Sequence, residues 1–102
     1  MTERKETRLK KETRVKLKDD TGTYDGLITS LSKRGMSVKT AHVFPTYKVI
    51  DVLVKIGDKM IQLNGSVRWV HDQLTDPGIE EGLNLVGISI LNPPREYLEH
   101  FE

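Results

Sequence analysis

Cysteine is absent from the 102 residues, which excludes disulfides, thiol catalysis and cysteine-held zinc or iron–sulfur centres. The three histidines, His42, His71 and His100, lie too far apart for a metal-ligand spacing. No run approaches the roughly 18 apolar residues that a membrane span requires. Met1-Thr2-Glu3-Arg4-Lys5 is charged with no apolar segment behind it, so it does not read as a secretory signal. A cytoplasmic chain that does not insert into a membrane is expected. Aromatics are scarce, at one Trp, three Tyr and two Phe. That counts against a barrel for single-stranded nucleic acid, which needs exposed rings to stack bases.

Enzyme signatures are missing as well. There is no Gly-rich phosphate loop, no G-x-S-x-G, and no carboxylate pair set out as general acid and base. Ser30-Leu31-Ser32-Lys33 matches S-x-x-K, a pattern that needs the start of a helix to bring lysine to serine. Here it joins a strand to a turn, and the partner motifs S-D-N and K-T-G are absent. A non-enzymatic chain with no metal and no cofactor is the expectation.

The charge is unevenly distributed. Residues 1–18 carry eight Lys or Arg against three Glu, whereas the rest carries eight basic and twelve acidic residues. A basic end on an acidic body suits an anionic partner. A merely solvated, flexible arm has the same composition.

Hydrophobic residues make up 36% of the chain, enough for one core only if they are well patterned, and the pattern present has period 2. From Leu9 to Lys18, lysine, glutamate and arginine alternate with Leu9, Val15 and Leu17, which predicts a strand with one wet face. Asp19-Asp20-Thr21-Gly22 is a turn cluster. Further strands are expected over 23–29, 36–40, 49–56, 61–70 and 83–91. Gly57-Asp58 forms a hairpin-type turn, and Asp76-Pro77-Gly78 marks a loop. In the fifth strand Ile61, Leu63, Val67 and Trp69 fall on one face. After residue 91 the period changes. Asn92 suits an N-cap and Pro93 the first helical position, with Tyr97, Leu98 and Phe101 on one face of a short helix laid over one end of the strands. Six short strands and a terminal helix predict an all-β barrel or sandwich. The division is a basic arm at 1–8, strands over 9–91 and a helix over 92–102.

Four motifs carry a resemblance. Arg4-Lys5-Glu6-Thr7-Arg8 is R-x-x-x-R before the first strand. Ser30-Leu31-Ser32-Lys33-Arg34-Gly35 closes the second strand. Gly65-Ser66-Val67-Arg68-Trp69 is G-x-V-x-W, and Val86-Gly87-Ile88-Ser89-Ile90 precedes the helix. In order and spacing they resemble PilZ domains, whose pattern is R-x-x-x-R, then [DN]-x-S-x-x-G across one hairpin, then G-x-V-x-W and G-I-x-F. The resemblance runs from about Arg4 to Phe101 and implies a six-stranded antiparallel β-barrel with a short C-terminal helix.

It also implies a bacterial second-messenger receptor for cyclic di-GMP that signals to a protein partner. The ligand residues it implies are Arg4, Arg8, Ser30, Ser32, Gly35 and Trp69, with Lys5 and Arg34 as additional phosphate contacts. Guanidinium groups fork onto phosphate oxygens and onto the O6/N7 edge of guanine, which suits two arginines to this ligand. Trp69 has two readings, a ring against guanine or a core tryptophan. Two departures stand out. Ser30 replaces the usual Asp or Asn, and losing one such hydrogen bond costs about 0.5–1.5 kcal/mol, or roughly three- to tenfold in affinity. Ser89 replaces phenylalanine. Lys10-Lys11-Glu12-Thr13-Arg14 imitates the first motif, but Arg4 and Arg8 leave room for a full first strand. An alternative is a degenerate PilZ-like adaptor that binds protein and no nucleotide.

Overall fold

A computed structural model describes residues 13–101. Arg4, Lys5, Arg8 and the expected strand start at Leu9 lie outside them. Six strands, β1 (Thr13–Asp19), β2 (Gly22–Leu31), β3 (Gly35–Thr40), β4 (Val49–Ile56), β5 (Lys59–His71) and β6 (Asn84–Leu91), precede one helix, α1 (Arg95–Glu99). Every neighbouring pair is antiparallel, and the strands close in the order β1-β2-β3-β6-β5-β4. The barrel closes where β1 pairs with β4, Val15 facing Val54, so neither strand is left with an open edge.

The alternation read from the sequence is what fills the barrel. Val15 and Leu17 of β1 are buried while Arg14, Lys16 and Lys18 are exposed. Val52 and Val54 of β4, Leu63 and Val67 of β5, and Val86 and Ile88 of β6 meet them inside. At the end where β2 begins, Phe44 closes the barrel, with His42 stacked on Tyr24 at 3.6 Å. The turn there, between β1 and β2, is held by the Asp19 carboxylate, which accepts from the Thr21 amide at 2.8 Å and from its hydroxyl. The Thr21 contacts hold the Asp19 carboxyl below its ordinary pKa.

The other end is closed by α1. Tyr97 is fully buried, and Leu98 and Phe101 pack beside it against the core. The helix starts later than Asn92 and Pro93 suggested. Asn92 takes a left-handed φ of 45° as the chain leaves β6, and Pro94, at φ −70° and ψ 158°, occupies the N-cap position with no side-chain cap. The cause is the Pro93-Pro94 pair. A residue before proline is driven from the helical region by the proline ring, so Pro93 cannot open a helix that Pro94 follows.

Among the described residues two β-bulges interrupt the ladder, and both bear on the site. In β2 the register slips between Ile28 and Ser30, leaving Thr29 as the extra residue. In β5 it slips between Val67 and Trp69, leaving Arg68 as the extra residue.

Candidate functional site

A groove of about 330 Å³ opens beside the β2–β3 turn, bounded by Ser30–Ser32 and Arg34–Ser37, by Arg68 and Trp69, and by Gly87–Ser89. It brings together Ser30, Ser32, Arg34, Gly35 and Trp69, five residues separated by up to 39 positions in the chain. Among the described residues its lining holds two arginines and four serines but no Asp or Glu. Neither Arg34 nor Arg68 has a carboxylate partner among the described residues. Unpaired guanidiniums beside hydroxyl donors form a surface suited to an anion.

The bulges aim these side chains. A regular strand sends alternate residues inward, so Trp69 would follow Val67 into the core. One extra residue reverses that parity. Val70 therefore takes the inward place and packs on the core, while Arg68 and Trp69 both face outward, side by side. Trp69 is 38% exposed and lies against Gly87, its Cα partner in β6. This corrects the expectation that Trp69 shares a face with Ile61, Leu63 and Val67, and removes its reading as a core tryptophan. The bulge in β2 likewise turns Ser30 outward and Leu31 inward.

Each motif residue has a definite local role. Ser30 Oγ donates to Ser37 Oγ at 3.0 Å across β2 and β3. The Ser32 amide donates to the Gly35 carbonyl at 2.9 Å, and Ser32 Oγ accepts from the Arg34 amide at 3.3 Å, which tightens the turn. The Ser32 carbonyl in turn accepts from the Tyr97 hydroxyl. Burial raises the Tyr97 pKa well above its ordinary value, so the phenol remains a donor. The turn is thus tied from below by the helix.

Gly35 is needed for close approach. A Cβ there would sit 2.5 Å from the Ile88 carbonyl oxygen, a backbone atom that cannot swing aside. Gly35→Ala should therefore cost about 1–3 kcal/mol of stability, as overpacking does, read as a lower urea midpoint with an unchanged slope. A midpoint equal to wild type would contradict the close β3–β6 approach.

Arg14, the arginine of the rival motif, lies elsewhere. It faces a separate groove of about 710 Å³ beside Lys16, Leu27 and Leu53, which among the described residues shares no lining residue with the Ser30–Trp69 groove. Arg68, Ser37, Gly87 and Ser89 join the site without having been singled out from the sequence. A signal for Arg68 was present, since Val67 and Val70 are three apart where alternation requires two or four.

A closed six-stranded barrel with an arginine- and serine-lined groove at one end, its turn pinned by a C-terminal helix, has the form of a small binding domain. The chain matches the PilZ domain family over residues 2–102 and belongs to it. No curated protein matches the chain. Among solved structures it is similar to the Bacillus subtilis inhibitor of motility, MotI/DgrA, with a TM-score of 0.75 and 13% identity over 99% of this chain. The chain spans 48% of that protein, and the likeness is one of fold.

Proposed function

We propose that this PilZ domain is a receptor for cyclic di-GMP and performs no catalysis of its own. Arg4 and Arg8 grip the ligand from the N-terminal side. Ser30, Ser32 and Gly35 form its seat, Trp69 stacks on a guanine, and Lys5 and Arg34 add phosphate contacts. The observation that carries this reading is the groove itself. It joins the second and third motifs of the family pattern, is lined by arginine and serine, and contains no carboxylate among the described residues.

The start of β1 supports the role given to the arginines. Thr13 pairs with Ile28, next to the β2 bulge and Ser30. Five residues of extended chain reach at most about 17 Å, so Arg8 can reach a ligand in the groove. Binding that orders the arm against the barrel changes the surface offered to a cytoplasmic protein partner, which responds if it prefers one of the two states.

The adaptor alternative retains one supporting observation. Ser30 Oγ is engaged with Ser37 Oγ, so the position where the family carries Asp or Asn offers a ligand less. Calorimetric titration decides between the two. Wild type should bind cyclic di-GMP at micromolar dissociation constant or tighter, and neither GTP nor cyclic di-AMP should compete. Arg8→Ala should weaken binding about tenfold or more, the loss expected for a charge-assisted contact. A wild-type chain that binds no cyclic di-GMP at high concentration refutes the receptor and leaves the adaptor.

A further inference from the structure

Tyr47 is held in a conformation that its own burial does not explain. It lies in the loop between β3 and β4 with a left-handed φ of 70°, yet it is 68% exposed. A bulky residue rarely adopts that backbone, which is strained for any residue with a Cβ. The loop is stitched to β5 just before its bulge. The Tyr47 amide donates to the Val67 carbonyl, and the Val67 amide donates to the Lys48 carbonyl at 2.9 Å. The result is that the Arg68 guanidinium sits over the Tyr47 ring, 5.3 Å from its centroid.

Arg68 is placed with equal care. As the extra residue of the bulge it faces outward beside Trp69 and lines the same groove. It has no carboxylate partner among the described residues, so the ring is what steadies it. A guanidinium stacked on a ring keeps its edge N–H donors free for an oxyanion.

We propose that Arg68 is an anion-binding residue of the groove, donating to a phosphate of the cyclic dinucleotide from the side opposite the β2–β3 turn, and that Tyr47 is its positioning residue. This rests on the receptor reading above. The strained backbone of Tyr47 serves to bring an aromatic face under Arg68.

The test is calorimetric titration with cyclic di-GMP of wild type, Arg68→Ala, Arg68→Lys, Tyr47→Phe, Tyr47→Asn and the double variant Arg68→Ala/Tyr47→Asn. Asparagine is chosen because it tolerates the left-handed backbone. Arg68→Ala should weaken binding about tenfold with little change in melting temperature. Arg68→Lys should recover only part of that loss, since an ammonium lacks the planar fork. Tyr47→Phe keeps the ring and should bind as wild type. Tyr47→Asn should weaken binding about two- to fivefold, the measure of an exposed cation–π contact. In the Arg68→Ala background it should have no further effect, because its influence passes through Arg68.

Wild-type affinity in Arg68→Ala overturns the assignment of Arg68 while leaving the receptor intact. Additive losses in the double variant overturn the positioning role of Tyr47. Absence of binding by wild type overturns the receptor reading and this proposal together.

Discussion

Replacing Tyr97 by alanine is expected to lower the unfolding free energy by about 3–5 kcal/mol, the usual loss for a large buried aromatic. That is a large share of the roughly 5–15 kcal/mol available to a domain of this size. Tyr97 is fully buried, packs its ring 5.1 Å from that of Phe101, and closes the barrel end that carries the groove.

Tyr97→Phe separates its two contributions. The ring and its packing remain, and only the hydrogen bond to the Ser32 carbonyl is lost. A partly buried carbonyl that loses its donor costs about 1 kcal/mol or more. Chemical denaturation should therefore rank wild type, Phe and Ala in that order with a common slope. A Phe variant as stable as wild type would mean that the Ser32 carbonyl finds another donor and that the helix does not pin the turn.

The same phenol has a pH signature. Its pKa is raised from 10.0 by burial, so the folded chain holds a proton that the unfolded chain releases as pH climbs past 10. Stability from this group is complete below pH 10 and declines as pH rises from there toward the folded pKa. The Tyr97→Phe chain lacks this decline. Its stability should approach that of wild type in alkaline solution, and a constant gap between the two would show that the Tyr97 phenol titrates normally.

Much of the barrel was legible in the residues because a half-buried strand must alternate. Val15 and Leu17 against Arg14, Lys16 and Lys18 identify β1 without any partner strand. The β4 bounds, Val49–Ile56, coincide with the apolar run read from the sequence. The departures have local causes. The helix starts at Arg95 because Pro94 acts on Pro93, a constraint on pairs that reading each proline alone overlooks. Trp69 left its expected face because a bulge depends on how two strands pair, and no single strand records that.

The site divides along the same line. Ser30, Ser32, Arg34 and Gly35 lie in one short stretch, so their proximity needed only a turn. Arg68, Gly87 and Tyr47 become neighbours of the groove only when β5 pairs with β6 and the 45–48 loop bonds to Val67. Tyr97 carried an apolar pattern that placed it on the core, but nothing in that pattern pointed its hydroxyl at Ser32.

Gly87 provides the most direct test of what Trp69 does. A Cβ at this position would lie 2.1 Å from Trp69 Cε2 and 2.4 Å from Nε1, so Gly87→Ala must expel the indole from the surface of β6. The ring is outward-facing and can swing away, so the fold should survive with a stability loss of about 1–3 kcal/mol. The optical change is unambiguous because the chain has one tryptophan. Its emission should shift to the red as the indole enters water.

If the domain is the receptor proposed above, ligand binding should suffer more than stability. Stacking of a base on an aromatic side chain contributes about 1–3 kcal/mol, so losing the platform should raise the cyclic di-GMP dissociation constant about five- to 150-fold. Trp69→Leu should match that loss with Gly87 intact, and Trp69→Phe should restore part of it. If Gly87→Ala shifts the emission while affinity stays at the wild-type value, the guanine does not rest on Trp69. Recognition would then fall to the arginines and the Ser30–Gly35 turn, with Trp69 and Gly87 serving only to cover the outer face between β5 and β6.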